Sequence, residues 1–134
     1  MNDASQARSL TGIWQGLFSY PEQFEPCGFT ATFIQVGDLI SGTIHEPNQE
    51  GDGDAETFQA TLEGRRRGNI VGFVKTYDGA STRDHSVRYE GILSADGDEI
   101  EGYWYIPGIW DGKFLMIRST RYEAAAARKA FARA

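Results

Sequence analysis

The feature that most constrains this chain is a short strand pattern that restarts about eight times between Leu10 and Thr120. One repeat shows apolar Phe58, Ala60 and Leu62 alternating with polar neighbours, as in a sheet with one buried face. Short alternating strands joined by tight turns are typical of a meander closed into a barrel, because closure removes the exposed strand edges. The pattern therefore predicts an all-β fold, an eight-stranded antiparallel up-and-down β-barrel.

The predicted strands are bounded by glycine, proline or polar loops. Their expected ranges are Leu10–Tyr20, Phe29–Val36, Leu39–His45, Glu56–Glu63, Asn69–Tyr77, His85–Ser94, Asp98–Ile106 and Lys113–Thr120. Gly37-Asp38 and Asp96-Gly97 are typical of two-residue hairpin turns. We interpret Arg65-Arg66-Arg67 as a solvated hairpin tip. The alanine-rich segment 121–134 predicts a short C-terminal helix, so residues 1–134 are expected to form one barrel domain.

Length and composition favour a soluble globular protein. The 134 residues are enough to build a core, and the 16 glycines suit a turn-rich chain. The net charge of −6 argues against nucleic acid as the main partner, because phosphate binding needs clustered cations. We find no apolar run of membrane-spanning length and no secretory signal, so we expect a cytoplasmic protein without a membrane partner. Cys27 is the only cysteine, which excludes an intrachain disulfide.

Two-fold periodicity assigns the faces of the strands. We place Trp14 and Trp104 inside, because glycines alternating with large rings suit a narrow interior. The residues of opposite parity then face outward: Ile13, Leu17, Tyr103 and Tyr105. An apolar outer face on strands one and seven favours self-association into a homo-oligomer.

These strands resemble those of the calycin superfamily, which includes lipocalins and avidins. Trp14 in strand one resembles the lipocalin tryptophan that packs beneath a basic residue of the last strand, and Arg118 stands at that place. The resemblance implies that Trp14 and Arg118 close the barrel. The spacing over Leu10–Arg118 is most similar to the avidin and streptavidin pattern, with matching segments at residues 39–44, 71–77, 85–86 and 101–104.

The avidin resemblance also implies site residues. Trp104 matches a biotin-stacking tryptophan, Tyr77 stands in for another, and Asp111 matches the aspartate that binds the ureido ring. The polar residues that hold biotin in that family fall at Gln15-Gly16, Ile44 and Glu46 here. We therefore do not predict biotin as the ligand.

Our functional hypothesis is a barrel that binds a small, partly aromatic or amphipathic molecule at its mouth. The candidate ligand-binding residues are Tyr20, His45, Tyr77, Trp104, Trp110 and Asp111. We predict no metal and no cofactor, because His45 and His85 lack ligand spacing and Asp52-x-Asp54-x-Glu56 lacks the order of a calcium loop.

Two alternatives stay open. The first is a structural or self-associating protein whose barrel is packed solid. The second is a small isomerase or decarboxylase that uses inward Tyr89 and Arg118 with Glu90. Glu90 has the opposite parity to Tyr89, so these two side chains are expected on opposite faces of strand six. We assign no catalytic residue.

Overall fold

The computed structural model describes residues 8–20, 26–47, 57–77 and 86–119. The strands are β1 (Gly12–Ser19), β2 (Cys27–Val36), β3 (Leu39–Pro47), β4 (Thr57–Arg67), β5 (Ile70–Tyr77), β6 (Ser86–Leu93), β7 (Glu99–Ile106) and β8 (Trp110–Arg118). Each strand pairs antiparallel with the next, and β8 pairs with β1, so the sheet closes into a barrel. The predicted eight-stranded up-and-down barrel is confirmed. The predicted C-terminal helix lies outside the described residues, among which no helix is long and apolar enough to cross a membrane.

The interior is built from alternate residues of every strand. Trp14 and Trp104 are buried, whereas Ile13 and Tyr103 are exposed, which confirms the predicted faces of β1 and β7. Glycines make room for the rings: a Cβ on Gly16 would lie 2.1 Å from the ring of Phe29 on β2. Glycine at this position is therefore a steric requirement of the packed interior.

Aromatic rings fill the middle of the barrel. The rings of Phe73 and Tyr89 stack with their centroids 4.8 Å apart, and Phe114 meets Tyr89 edge-on at 5.0 Å. Phe33 and Phe29 complete this layer by packing against Phe73 and Tyr89 respectively. The central layer is consequently closed by side chains, as in other small barrels.

One end of the barrel, which we call the base, is closed by arginines. The guanidinium of Arg118 lies 4.5 Å from the ring centroid of Trp14, and it donates hydrogen bonds to the backbone oxygens of Gly97 and Ser9. Asp98 forms an ion pair with Arg118. Burial lowers the pKa of Arg118 below its ordinary value, with Arg8 adding to the effect. The base is therefore a polar lid bound to the main chain.

Arg66 belongs to the same lid, so the expectation of a solvated arginine tip is correct for the exposed Arg65 and Arg67 and wrong for Arg66. β4 extends through Arg67 and turns at Gly68, so Arg66 keeps the inward parity of Leu62 and is 5% exposed. Its side chain donates to the backbone oxygens of Gly68 and Arg8. Buried arginines need such acceptors.

Two turn predictions differ in outcome. The two-residue turn at Gly37-Asp38 is present, with Val36 paired to Leu39. The connection from β6 to β7 is longer than the predicted Asp96-Gly97 turn: residues 94–98 lie between the strands, and only Gly97 has a positive φ. The carboxylate of Asp96 accepts hydrogen bonds from Ser94 and from the backbone of Asp98, which stabilises the wider turn.

Candidate functional site at the rim

The opposite end of the barrel, which we call the rim, carries an aromatic group. We define the rim cluster as Phe18, Tyr20, Trp104 and Trp110. The Tyr20 centroid lies 4.5 Å from that of Trp110 and 5.1 Å from that of Trp104. Phe18 packs edge-on beneath Tyr20 and Trp104, at 5.6 and 6.2 Å. These separations are those of interacting aromatic pairs.

The two tryptophans of the rim cluster differ in solvent exposure and in how their rings are held. Trp104 is 3% exposed, and its indole N–H donates to the backbone oxygen of Ser19 at 2.9 Å. Its ring covers Gly112, where a Cβ would lie 2.5 Å from the indole nitrogen. Trp110 is 47% exposed. The ring of Trp104 is thus buried and held by a hydrogen bond, whereas about half of the Trp110 side chain is accessible to solvent.

Trp110 and Asp111 are strand residues, which corrects the predicted start of the last strand at Lys113. β8 begins at Trp110, because Ile109 donates a backbone hydrogen bond to Ile106 and closes a three-residue turn. An open surface depression of about 670 Å³ lies on this hairpin and is lined by residues 103–111, Trp104, Ile106, Pro107 and Trp110 among them.

Beneath the rim cluster lie three polar side chains that we define as the polar cluster: Glu46, Lys75 and Tyr77. The Lys75 ammonium forms an ion pair with Oε2 of Glu46. The Tyr77 hydroxyl donates to the Glu46 carboxylate, 3.0 Å from Oε1 and 3.2 Å from Oε2. Lys75 is 1% and Glu46 is 6% exposed. The barrel therefore contains a desolvated charge pair with a phenol bound to it.

Aromatic faces surround the Lys75 ammonium. Nζ lies 4.7, 5.2 and 5.3 Å from the ring centroids of Tyr77, Phe18 and Tyr89. These are cation–π distances. Phe18, a member of the rim cluster, thus also contacts Lys75, so the rim cluster and the polar cluster are in direct contact.

Burial also sets the protonation of the phenols. Desolvation raises the pKa of Tyr77 above its ordinary value and outweighs the opposing effect of Lys75. Burial raises the pKa of Tyr89 well above its ordinary value, and Glu46 adds to this. Both hydroxyls are therefore neutral at physiological pH.

The structure brings together four of the six residues predicted to bind a ligand. Tyr20, Trp104 and Trp110 are in the rim cluster, and Tyr77 is in the polar cluster. His45 is exposed on β3 between buried Ile44 and Glu46, so it faces away from the interior. Asp111 is also exposed and shares the outward parity of Lys113, because strand alternation continues through Trp110 and Asp111.

Sequence reasoning missed Lys75 and Glu46. Lys75 follows Val71 and Phe73 at two-residue intervals on β5, and this alternation was the signal for an inward side chain. Glu46 lies just beyond the predicted strand Leu39–His45, but β3 extends to Pro47 and buries it.

The residues considered for catalysis are not brought together. Tyr89 is buried in the central layer and Glu90 is exposed on β6, as their parity predicts. Arg118 is at the base, beside Trp14. In the described part of the chain there is also no group of three His, Cys, Asp or Glu residues arranged to hold a metal ion; His85 and the segment 52–56 lie outside that part.

Comparison with known proteins adds no family assignment. No protein-family model matches this chain, and no curated protein is significantly similar to it. The case for function therefore depends on the geometry of the rim.

Proposed function

We propose that this protein is a calycin-like barrel that binds a small molecule at its rim. The observation that carries the proposal is the half-exposed ring of Trp110 held against Tyr20 and above buried Trp104. Aromatic residues with polar tips offer a large contact area to planar or amphipathic molecules and lose little side-chain conformational entropy on binding. The open depression beside Trp104 and Trp110 on the β7–β8 hairpin supports the proposal.

The test is a ligand screen read by tryptophan fluorescence and repeated by calorimetry. A library of small aromatic and amphipathic molecules is expected to yield ligands that change the emission of the native protein. Trp110→Ala is expected to abolish the calorimetric signal, because it removes one ring of the rim cluster. Ile70→Ala is the matched control, since Ile70 is exposed and pairs with Arg67 at the opposite end of the barrel. Ligands that bind the Trp110→Ala variant with native affinity would contradict the assignment of the site.

A second candidate is a self-associating protein whose filled barrel has only a structural role. The contacting rings of Phe73, Tyr89 and Phe114 in the central layer favour it. Ile13 and Tyr103, which are 49% and 62% exposed on β1 and β7, favour it too. Sedimentation analysis of the native protein and of Ile13→Lys separates the two. A dimer that the substitution dissociates supports self-association, and a monomer at all concentrations refutes it.

We also propose that residues 121–134 form the predicted C-terminal helix and cover the outer face of β8. Leu115 and Ile117 alternate with the core residues Phe114 and Met116, yet they are only 7% and 1% exposed. Outward apolar residues this well buried need a cover, and the chain leaves β8 beside them at Arg118. Truncation after residue 120 is expected to reduce the helical signal in circular dichroism and to expose an apolar patch that binds a hydrophobic dye. An unchanged spectrum would contradict the helix.

A further inference from the structure

A ligand of the rim would pack on its outer surface, because side chains close the barrel beneath it. The rings of Phe18 and Trp104 are 7% and 3% exposed and contact each other edge-on. Above them, Trp110 is 47% exposed and lines the open depression together with Pro107 and Asp111. A charged group bound at such an open position keeps part of its hydration, so it escapes most of the penalty of a buried ion. The rim therefore admits a charged ligand.

The connections at the rim have a strongly acidic sequence. In this antiparallel barrel the chain turns at the rim between β1 and β2, β3 and β4, β5 and β6, and β7 and β8. These connections are residues 20–26, 48–56, 78–85 and 107–109, and together they contain eight acidic residues and one arginine, which leaves a net charge of −7. Chain connectivity alone assigns these charges to the rim. A one-sided charge of this kind concentrates cations and repels anions.

The base does not share this negative charge. The guanidinium groups of Arg8, Arg66 and Arg118 lie there, bound to backbone oxygens or to Asp98. The two ends of the barrel thus differ in charge, and a cation is attracted to the end that carries the rim cluster.

The charged side chains described near Trp110 favour neither sign by themselves. Asp111 lines the depression, and Glu90, Arg88 and Lys113 are exposed on the adjacent strands β6 and β8. These two carboxylates and two cations cancel. The acidic connections and the ring of Trp110 therefore decide which charge is favoured, and both favour a cation, because the face of a tryptophan ring attracts positive charge.

We infer that the ligand of the rim is a small organic cation, an ammonium compound with an apolar body, which packs on the exposed ring of Trp110 beside Asp111. This inference rests on the proposed small-molecule function and specifies the charge of the ligand. The ring of Trp110 and the acidic rim attract the ammonium, and Ile106 and Pro107 offer apolar surface to the body of the molecule.

The experiment compares three phenyl compounds of similar length by calorimetry: 2-phenylethylammonium, 2-phenylethanol and 3-phenylpropionate. At about 20 mM salt, where charges are weakly screened, the cation is expected to bind about ten-fold more tightly than the alcohol. The anion is expected to bind least tightly. At about 0.5 M salt the preference for the cation should become smaller, because exposed charges are screened over a few ångströms.

Variants locate the binding site of the cation. Trp110→Leu keeps an apolar side chain and removes the ring, so the preference for the cation over the alcohol should fall to about three-fold or less. Asp111→Asn removes a carboxylate from the depression and should lower the preference by about two-fold. Asp38→Asn is the matched control, since Asp38 is exposed in the β2–β3 turn at the base, and it should leave the preference unchanged. In proton NMR, the methylene resonances beside the ammonium should move upfield with the native protein and not with Trp110→Leu, because the ring current of Trp110 is lost.

The outcomes separate the inference from the proposal beneath it. Equal affinity for the cation and the alcohol, or tightest binding of the anion, overturns the inference and leaves a ligand site at the rim. An unchanged preference in Trp110→Leu, or a loss in Asp111→Asn no larger than in Asp38→Asn, also overturns it. If none of the three compounds binds, the ligands from the library screen decide: cations support the inference, and neutral or anionic ligands overturn it. A library screen without any ligand refutes the proposed function itself.

Discussion

Replacing Lys75 by methionine is the perturbation whose consequence the structure defines best. Methionine has nearly the length of lysine and no charge, so the substitution removes the ammonium and leaves little empty volume. The carboxylate of Glu46, 6% exposed, then keeps only Tyr77 as its described hydrogen-bond donor. A buried charge that loses its partner destabilises a protein by about 3–5 kcal/mol.

That loss is measurable by urea and thermal unfolding. It is a large fraction of the roughly 5–15 kcal/mol by which a domain is stable, and it corresponds to a fall in melting temperature of roughly 10–20 °C for a chain of this size. Glu46→Gln alone is expected to be destabilising too, because it leaves the buried ammonium unpaired. Lys113→Met is the control, since Lys113 is exposed on β8 and surface substitutions change stability by about 0.5 kcal/mol or less.

The double variant Glu46→Gln/Lys75→Met decides whether the reasoning is right. Removing both charges together leaves no unpaired ion, so its stability should return to within about 1 kcal/mol of the native protein. The glutamine oxygen still accepts the hydrogen bond from Tyr77. If the double variant instead loses the sum of the two single effects, within about 0.5 kcal/mol, the pair is not coupled and the buried ion pair is refuted.

Three further predictions concern the base, the packed interior and the buried phenols. Arg118→Met should lower the free energy of unfolding in urea by about 2–3 kcal/mol, because the variant loses the contact with Trp14 and the hydrogen bonds to backbone oxygens. A decrease no larger than that of a surface substitution would contradict the role of Arg118 in closing the base. Gly16→Ala should cost about 1–3 kcal/mol through overpacking against Phe29, whereas in Gly28→Ala the new Cβ would meet nothing closer than 3.9 Å, so equal effects would contradict the steric argument. The pKa values of Tyr77 and Tyr89 are raised in the folded state, so the contribution of the two phenols to the free energy of unfolding is fully present below the ordinary tyrosine pKa of about 10 and is lost as pH rises above it. Tyr89→Phe should reduce this loss of stability at alkaline pH. An unchanged dependence of the free energy of unfolding on pH would contradict the burial of the Tyr89 phenol.

The fold was predictable because the same rule, strand alternation, operates in every repeat. Trp14 lies between Gly12 and Gly16 at two-residue spacing, and Trp104 follows Gly102 at the same spacing. Both rings are buried in the barrel. Once the strands are located, the two-residue alternation of side chains therefore determines which residues face the interior.

The site was predictable only in part, because the decisive positions break the usual link between polarity and exposure. Lys75 and Arg66 have inward parity in their strands, but a charged residue is ordinarily read as solvent-facing. What identifies them as interior is the partner each one finds: Glu46, 29 positions away, for Lys75 and the oxygen of Arg8, 58 positions away, for Arg66. Contacts over such separations follow from barrel closure, which a local pattern does not describe.

The cations buried at the two ends of the barrel are held by different kinds of acceptor. Arg118 and Arg66 donate to backbone oxygens at the base, so an apolar replacement would strand main-chain acceptors and weaken closure. Lys75 bonds instead to a side chain, Glu46, and has no main-chain acceptor in the described structure. An apolar pair could fill the same space without an unsatisfied backbone group. Closure of the barrel therefore explains the arginines at the base, whereas no described main-chain group requires the charged pair of the polar cluster.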